Sequence, residues 1–184
     1  MCLNLRAHGK GTFYSLDAYK FQGEFQDDLK HGVGEEIFPS GLELKGLYIS
    51  NSLSKIFQIR FLDGTLISGD FIYANKSGEI PLLEGLSGMA EILYGGSGGG
   101  EKYIGNIKNG KKEGVGVHTW PDGRKYEGEF ANDLFNGRGT FSWPDGVIYN
   151  GGWKMGIQHG SGMEKAEGKE REGEWENGKW LKWK

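Results

Sequence analysis

Between Tyr126 and Trp153 the chain alternates between apolar and polar positions. Tyr126, Gly128 and Phe130 fall on one side of an extended backbone, and Glu127 and Glu129 fall on the other. Gly139, Phe141 and Trp143 repeat the arrangement opposite Thr140 and Ser142. Apolar residues recur at i, i+2 rather than at i, i+3, i+4, which predicts strands and excludes amphipathic helices here. Glycine weakens a strand through its backbone entropy, so its place between two rings needs a physical reason. A residue without a side chain leaves a slot across which a ring can lie, and the expected source of that ring is the neighbouring unit. Turn chemistry separates the strands. Asn132-Asp133 and Asn177-Gly178 suit tight hairpins, whereas in Trp143-Pro-Asp-Gly146 the proline presets φ and the glycine is free to take positive φ. Each unit therefore reads as a β-hairpin followed by a connector.

The pattern is periodic. Tyr103-Ile-Gly-Asn-Ile107, Tyr126-Glu-Gly-Glu-Phe130 and Tyr149-Asn-Gly-Gly-Trp153 are offset by 126−103 = 23 and 149−126 = 23 residues. Phe21-Gln-Gly-Glu-Phe25, Leu44-Lys-Gly-Leu-Tyr48 and Ile67-Ser-Gly-Asp-Phe71 follow the same step, 44−21 = 23 and 67−44 = 23. A seventh unit, Arg171-Glu-Gly-Glu-Trp175, comes one residue early. These recurring positions, with the intact TWPDG and SWPDG turns, resemble the MORN repeat, a family of the general form YxGxW…NGxxHGxGxxxWPDGxxY. The resemblance extends over essentially the whole chain.

A lone hairpin is marginal in water, so the units are expected to stack edge to edge, each burying its rings against its neighbours. The predicted fold is all-β: a single-layer, elongated, twisted sheet of tandem hairpins, with residues 1–184 as one array of about seven 23-residue repeats. Three places depart from the pattern. Lys55-Ile56-Phe57 replaces a Gly-x-Gly pair, which points to an ordinary apolar contact in that hairpin. The step from Ile67 to Tyr103 is 36 residues, 13 more than the period, so the array is interrupted over residues 72–102. That insertion holds Pro81, Leu82 and Leu83, reads as a longer link after Gly78, and then continues as a hairpin pairing Gly88–Tyr94 with Glu101–Gly105 around a Gly/Ser loop at residues 95–100. The loop has the composition either of a native Gly/Ser connection or of an engineered linker. At the start, His8–Gly11 matches the second strand of a unit whose first strand is missing or irregular. The chain is then either a fragment or has an opening strand edge filled by another chain.

Composition narrows the function. Hydrophobic residues make up only 36% of the 184, while 34 glycines and 13% aromatics place the apolar surface on flat rings spaced by bare backbone. With a net charge of −3 and interspersed signs there is no electropositive field for a phosphate backbone, so nucleic acid is not an expected partner. Cys2 is the single cysteine, which excludes an intrachain disulfide and points to a protein that is cytosolic or faces a reducing compartment, with cytoskeletal, ciliary or membrane association left open. His31 and His159 precede Gly-x-Gly pairs and read as repeat-turn residues, and no metal-ligand spacing appears. Glu127 and Glu129 sit on a solvated face without a pocket to shift their pKa. Glu101 stands where a phosphate-binding loop would need lysine. No cofactor, metal or catalytic residue is expected, and the chain is read as not an enzyme.

A single layer cannot bury both faces, so the aromatic face is expected to hold an open groove lined by Phe25, Trp120, Tyr126, Phe130, Phe141, Trp143, Tyr149 and Trp153. Exposed aromatic patches mark partner sites. The leading reading is a non-catalytic interaction scaffold or adaptor that takes a peptide or helix of another protein along this groove. The resemblance implies the same, since MORN proteins include cytoskeletal, ciliary and motor-associated adaptors. It also implies an alternative, a phosphoinositide or membrane tether, for which Lys179, Trp180, Lys182, Trp183 and Lys184 are the candidate lipid contacts; a capping strand explains the same tail. Open end strands suggest a homodimer that extends one sheet.

Overall fold

The computed structural model describes residues 6–72 and 85–184. Cys2, the link after Gly78 and Pro81-Leu82-Leu83 lie outside these residues. The described residues form one antiparallel sheet of 15 strands in sequence order, and among them there is no α-helix. The strands are β1 (Gly9–Tyr14), β2 (Lys20–Gln26), β3 (Leu29–Ile37), β4 (Glu43–Ile49), β5 (Ser52–Arg60), β6 (Leu66–Ile72), β7 (Gly88–Leu93) and β8 (Lys102–Lys108). They continue as β9 (Lys111–Thr119), β10 (Lys125–Ala131), β11 (Leu134–Ser142), β12 (Ile148–Lys154), β13 (Ile157–Ala166), β14 (Lys169–Glu176) and β15 (Lys179–Trp183). The all-β, single-layer expectation holds.

Two kinds of turn alternate along the sheet. Hairpins such as β10–β11 close through two residues that both carry positive φ, Asn132 at 49° and Asp133 at 71°. That conformation matches the strand twist and selects Asn, Asp and Gly. The other connections are loops of the Trp143-Pro-Asp-Gly146 kind, in which Gly146 N–H donates to the Trp143 carbonyl at 3.0 Å and the Asp145 carboxylate accepts the Val147 N–H at 3.1 Å.

Register aligns the glycines into a lane across the sheet. Gly105 opposes Gly116, and the lane continues through Gly128, Gly139, Gly151 and Gly162 to Gly173. The lane carries no side chains because rings occupy it. A Cβ added to Gly116 would stand 2.6 Å from Cε2 of Tyr103 and 2.8 Å from its Cζ, and one added to Gly128 would stand 2.7 Å from Tyr126 Oη. The occupying ring comes from the same hairpin, not from the neighbouring unit as the sequence suggested. Each tyrosine lies along its own strand, because its hydroxyl finds an acceptor three residues on. Tyr103 donates to the Asn106 carbonyl at 2.7 Å, Tyr126 to Glu129 at 2.9 Å and Tyr149 to Gly152 at 3.1 Å.

The neighbouring unit contributes differently. Its fifth-position ring stands on edge against the tyrosine: Phe130 on Tyr103 at 5.2 Å and 82°, Trp153 on Tyr126 at 5.4 Å and 89°, Trp175 on Tyr149 at 4.9 Å and 72°. Edge-to-face pairs suit the ring quadrupole and add about 0.5–1.5 kcal/mol each beyond burial. Flat ring and upright ring alternate along the array, and a core forms without a second layer: Tyr103, Tyr126 and Tyr149 are fully buried.

Lane and period both break where the sequence breaks. In β5 Ile56 opposes Gly46, the register shifts twice, and Ile56 and Ile59 bury against Leu44 in an aliphatic core, as expected for a hairpin without glycine slots. At the insertion the ladder continues, with β6 paired to β7 and β7 to β8. The 95–100 loop is closed by the Tyr94 N–H donating to the Glu101 carbonyl at 3.0 Å.

Replacing Gly116 with Ala forces the Tyr103 ring off the lane and is expected to destabilise the fold by ~1–3 kcal/mol, whereas Asn150→Ala on the opposite, exposed face should change stability by less than ~0.5 kcal/mol. Urea denaturation measures both, and a Gly116→Ala protein as stable as the parent would remove the slot as the reason for the glycine.

Candidate partner-binding face

The structure divides the eight rings expected to line a groove. Tyr126 and Tyr149 are wholly buried, and Phe130, Phe141 and Trp153 nearly so. These five form the core and do not line an open groove. The flat rings are covered by the upright ones, and Trp153 is further held by its indole N–H donating to the Gly139 carbonyl at 3.0 Å. Phe25, Trp120 and Trp143 are half-buried and pack at the margin of the core.

Trp120 and Trp143 belong to a longer row. Each is the first residue of a connector loop, and Phe38, Phe61 and Tyr94 occupy the same position in earlier units, all half-buried. The offsets 61−38 = 23 and 143−120 = 23 could have found the first two from sequence. Tyr94 was obscured because its loop is longer. The loops hold these rings rigidly. Phe38, Phe61, Trp120 and Trp143 each accept a hydrogen bond from the glycine three residues on, at 2.8–3.0 Å, and Asp63, Asp122 and Asp145 accept the N–H two residues on. Trp120 stacks on His118 at 4.1 Å and Trp143 packs on Phe141 at 4.4 Å, so one ring face rests on the core. The result is an aromatic rim along one side of the ring-bearing face. Phe135, also half-buried and stacked on Tyr126 at 3.9 Å, starts the second strand of its hairpin, on the opposite side.

Two polar clusters interrupt the apolar face, and they occupy matching repeat positions. In the first, Lys30 Nζ lies 2.5 Å from Glu36 Oε1, which also accepts from the Tyr19 hydroxyl at 2.5 Å. In the second, Lys112 and His118 take the places of Lys30 and Glu36, since 36−30 = 6 and 118−112 = 6, and the two histidine and glutamate positions oppose Tyr103 and Phe21 in register. A carboxylate accepts and an ammonium donates, which fixes the imidazole: Nε2 donates to Glu101 Oε1 at 2.6 Å and Nδ1 accepts from Lys112 Nζ at 3.2 Å. Burial, followed by the neighbouring Lys112 charge, pulls the His118 pKa from 6.5 down to about 4, against the opposing pull of Glu101. Burial holds Lys112 below the ordinary lysine range and pushes Tyr94 up to about 12. His118 was not separated from the turn histidines by sequence position alone; its place two residues before Trp120, in the row of ring-facing residues, is what distinguishes it.

The tail forms β15, which pairs with β14. Trp183 packs edge-on against Trp175 at 5.8 Å, and Lys184 Nζ lies 2.8 Å from Glu174, so part of the expected lipid-contact set is engaged within the sheet. Trp180 and Leu181 remain about half exposed, beside Lys179 and Lys182. β1 and β15 are the end strands of the sheet, where pairing with a second copy would have to occur, and lysines on a strand as short as β15 discourage it.

The MORN repeat family model matches residues 21–43, 103–123, 126–148 and 149–166. No curated protein matches the chain. Among solved structures, the G-box domain of the microcephaly protein CPAP, described as suggesting a role in centriole elongation, aligns at 12% identity and TM-score 0.45, covering 90% of this chain and 87% of that one. The TCP domain of SAS-4 of Drosophila melanogaster, in complex with a proline-rich motif of Ana2, aligns at 11% identity and TM-score 0.39 over 98% of this chain and 96% of that one. The TCP10 domain of CPAP from Danio rerio aligns at 12% identity and TM-score 0.28, with coverage of 95% and 99%. Scores this low transfer no partner to this chain.

In the folded protein His118 stays neutral down to about pH 4, whereas the unfolded chain binds a proton there near pH 6.5. Its contribution is therefore intact above pH 6.5 and is lost as the pH falls toward 4. The melting temperature of the parent should fall more between pH 7 and pH 4 than that of His118→Gln, as followed by circular dichroism; parallel curves would contradict the buried neutral imidazole.

Proposed function

Because this chain is a MORN-repeat protein, we propose that it is a non-catalytic interaction scaffold that holds an extended segment of another protein along the aromatic rim of its sheet. One observation carries the reading: Phe38, Phe61, Tyr94, Trp120 and Trp143 recur at a single repeat position, half-buried at the margin of the core. Anchored rings lose little side-chain entropy when they meet a partner, and aromatic residues are the commonest binding hot spots. A row with the repeat spacing suits an extended segment better than a globular surface. The buried flat and upright rings play no direct part in this proposal; they position the rim. The pairing of β15 with β14 and the Lys184–Glu174 contact support a capping role for the tail over lipid tethering.

The test separates the rim from the core and from the opposite face. Trp120→Ser combined with Trp143→Ser should keep the strand signal in circular dichroism and lose the proteins that the parent captures reproducibly from native lysate, while Glu127→Ala on the opposite face should keep them. Capture by the double variant at parental yield would overturn the rim as the binding element.

A further inference from the structure

We propose that the cavity beside Lys112 is a binding site for a small amphipathic monocarboxylate, with the carboxylate on Lys112 Nζ and the apolar body against Phe61, Ile67 and Ile92. The proposal does not depend on the scaffold reading.

The comparison of the two polar clusters carries it. At equal repeat positions Lys30 is neutralised by Glu36, whereas Lys112 meets the imidazole of His118, which offers a lone pair and no charge. The remaining contacts of Lys112 Nζ are the Tyr94 hydroxyl at 3.3 Å and the rings of Tyr94, Tyr103 and Phe130 at 5.5–5.9 Å. Among the described residues it forms no ion pair. Carboxylates nearby are occupied elsewhere. Glu101 accepts from His118, Asp133 accepts the backbone N–H of Lys112 at 2.8 Å, and Asp63 accepts from the backbone and hydroxyl of Thr65 at 2.8 and 3.0 Å. Asp133 and Glu101 attract the ammonium from a distance, yet burial outweighs them. A half-buried cation without a counter-ion among the described residues is an unfavourable arrangement that an external anion would relieve.

The space for that anion's body lies alongside. A cavity of about 640 Å³ is lined by Phe61, Ile67, Ile92, Tyr94 and Lys112, with Asp63 and Asp133 among its other walls. Its size and its apolar walls, set among the polar side chains of Asp63, Thr65, Lys112 and Asp133, are those of a small-molecule site. It lies where the β6–β7 region departs from the 23-residue period and the longer loop after Tyr94 replaces the compact proline turn. The two aspartates at the walls repel any carboxylate, so one is held only in direct contact with Lys112 Nζ and a second has no cation to offset the repulsion, which selects a monoanion with an aliphatic or aromatic body.

Octanoate and octanamide are the probes, titrated into the full chain and followed by amide chemical shifts. The parent should bind octanoate with shifts at Ile67, Ile92 and Lys112, and bind octanamide at least tenfold more weakly. Lys112→Met should lose octanoate binding at least tenfold. His118→Glu, which restores the lysine–glutamate pair found at Lys30 and Glu36, should lose it to a similar degree while the amide spectrum remains that of a folded sheet. Octanamide binding as tightly as octanoate, octanoate binding retained by folded His118→Glu, or no octanoate binding by the parent would each overturn the assignment.

Discussion

The units led by Phe21, Tyr103, Tyr126 and Tyr149 depend on one contact, the ring lying flat over two glycines, one on its own strand and one on the next. Without that contact these units have no core of their own, because their aliphatic content is low and, among the described residues, no second layer covers them. The bare lane lets the ring approach the backbone closely, and the approach gives the tyrosine hydroxyl a carbonyl to reach. The upright ring of the following unit then seals the flat one. Stability is consequently shared between neighbours and passed along the array, as in other repeat architectures, and each unit's integrity rests on the two beside it.

That division of labour determines what is left for function. Apart from the half-buried Phe25, rings at the first and fifth positions of the repeat are consumed by the core. Rings at the head of the connector loops stay half-buried, because the loop places them at the margin of the core. The opposite face of the sheet is solvent-exposed and mixed, with Glu127 and Asn150 standing among exposed apolar residues such as Ile104, Val115 and Met163. A face that is self-sealing in its middle and aromatic at its rim offers a partner a line of anchors rather than a trough. Substituting polar groups into the ring-bearing face is tolerated where they satisfy one another, as Lys30 and Glu36 do, and leaves a chemical demand where they do not, as at Lys112.

Much of the fold was legible in the sequence because the period-two alternation and the 23-residue offset are strong, mutually consistent signals. They placed the strands, the turns, the aliphatic exception around Ile56 and the ring-bearing face. The candidate site was legible only in part. Alternation assigns Tyr126 and Trp143 to comparable faces, but it does not say that one is roofed by Trp153 while the other stands at a loop head. Which ring fills a glycine slot depends on the reach of the tyrosine hydroxyl to its own strand, a distance that side-chain pattern does not encode. Tyr94 was hidden by its longer loop, and the difference between Lys30 and Lys112 lay in the partner six residues on, which has meaning only once register sets them side by side.

The most direct measurement of the central contact is the proton NMR of the lane glycines. If the rings lie flat on the backbone, the Hα resonances of Gly116, Gly139 and Gly162 should be displaced upfield by ring currents and show nuclear Overhauser contacts to Tyr103, Tyr126 and Tyr149, respectively. Resonances at random-coil positions without those contacts would contradict the account.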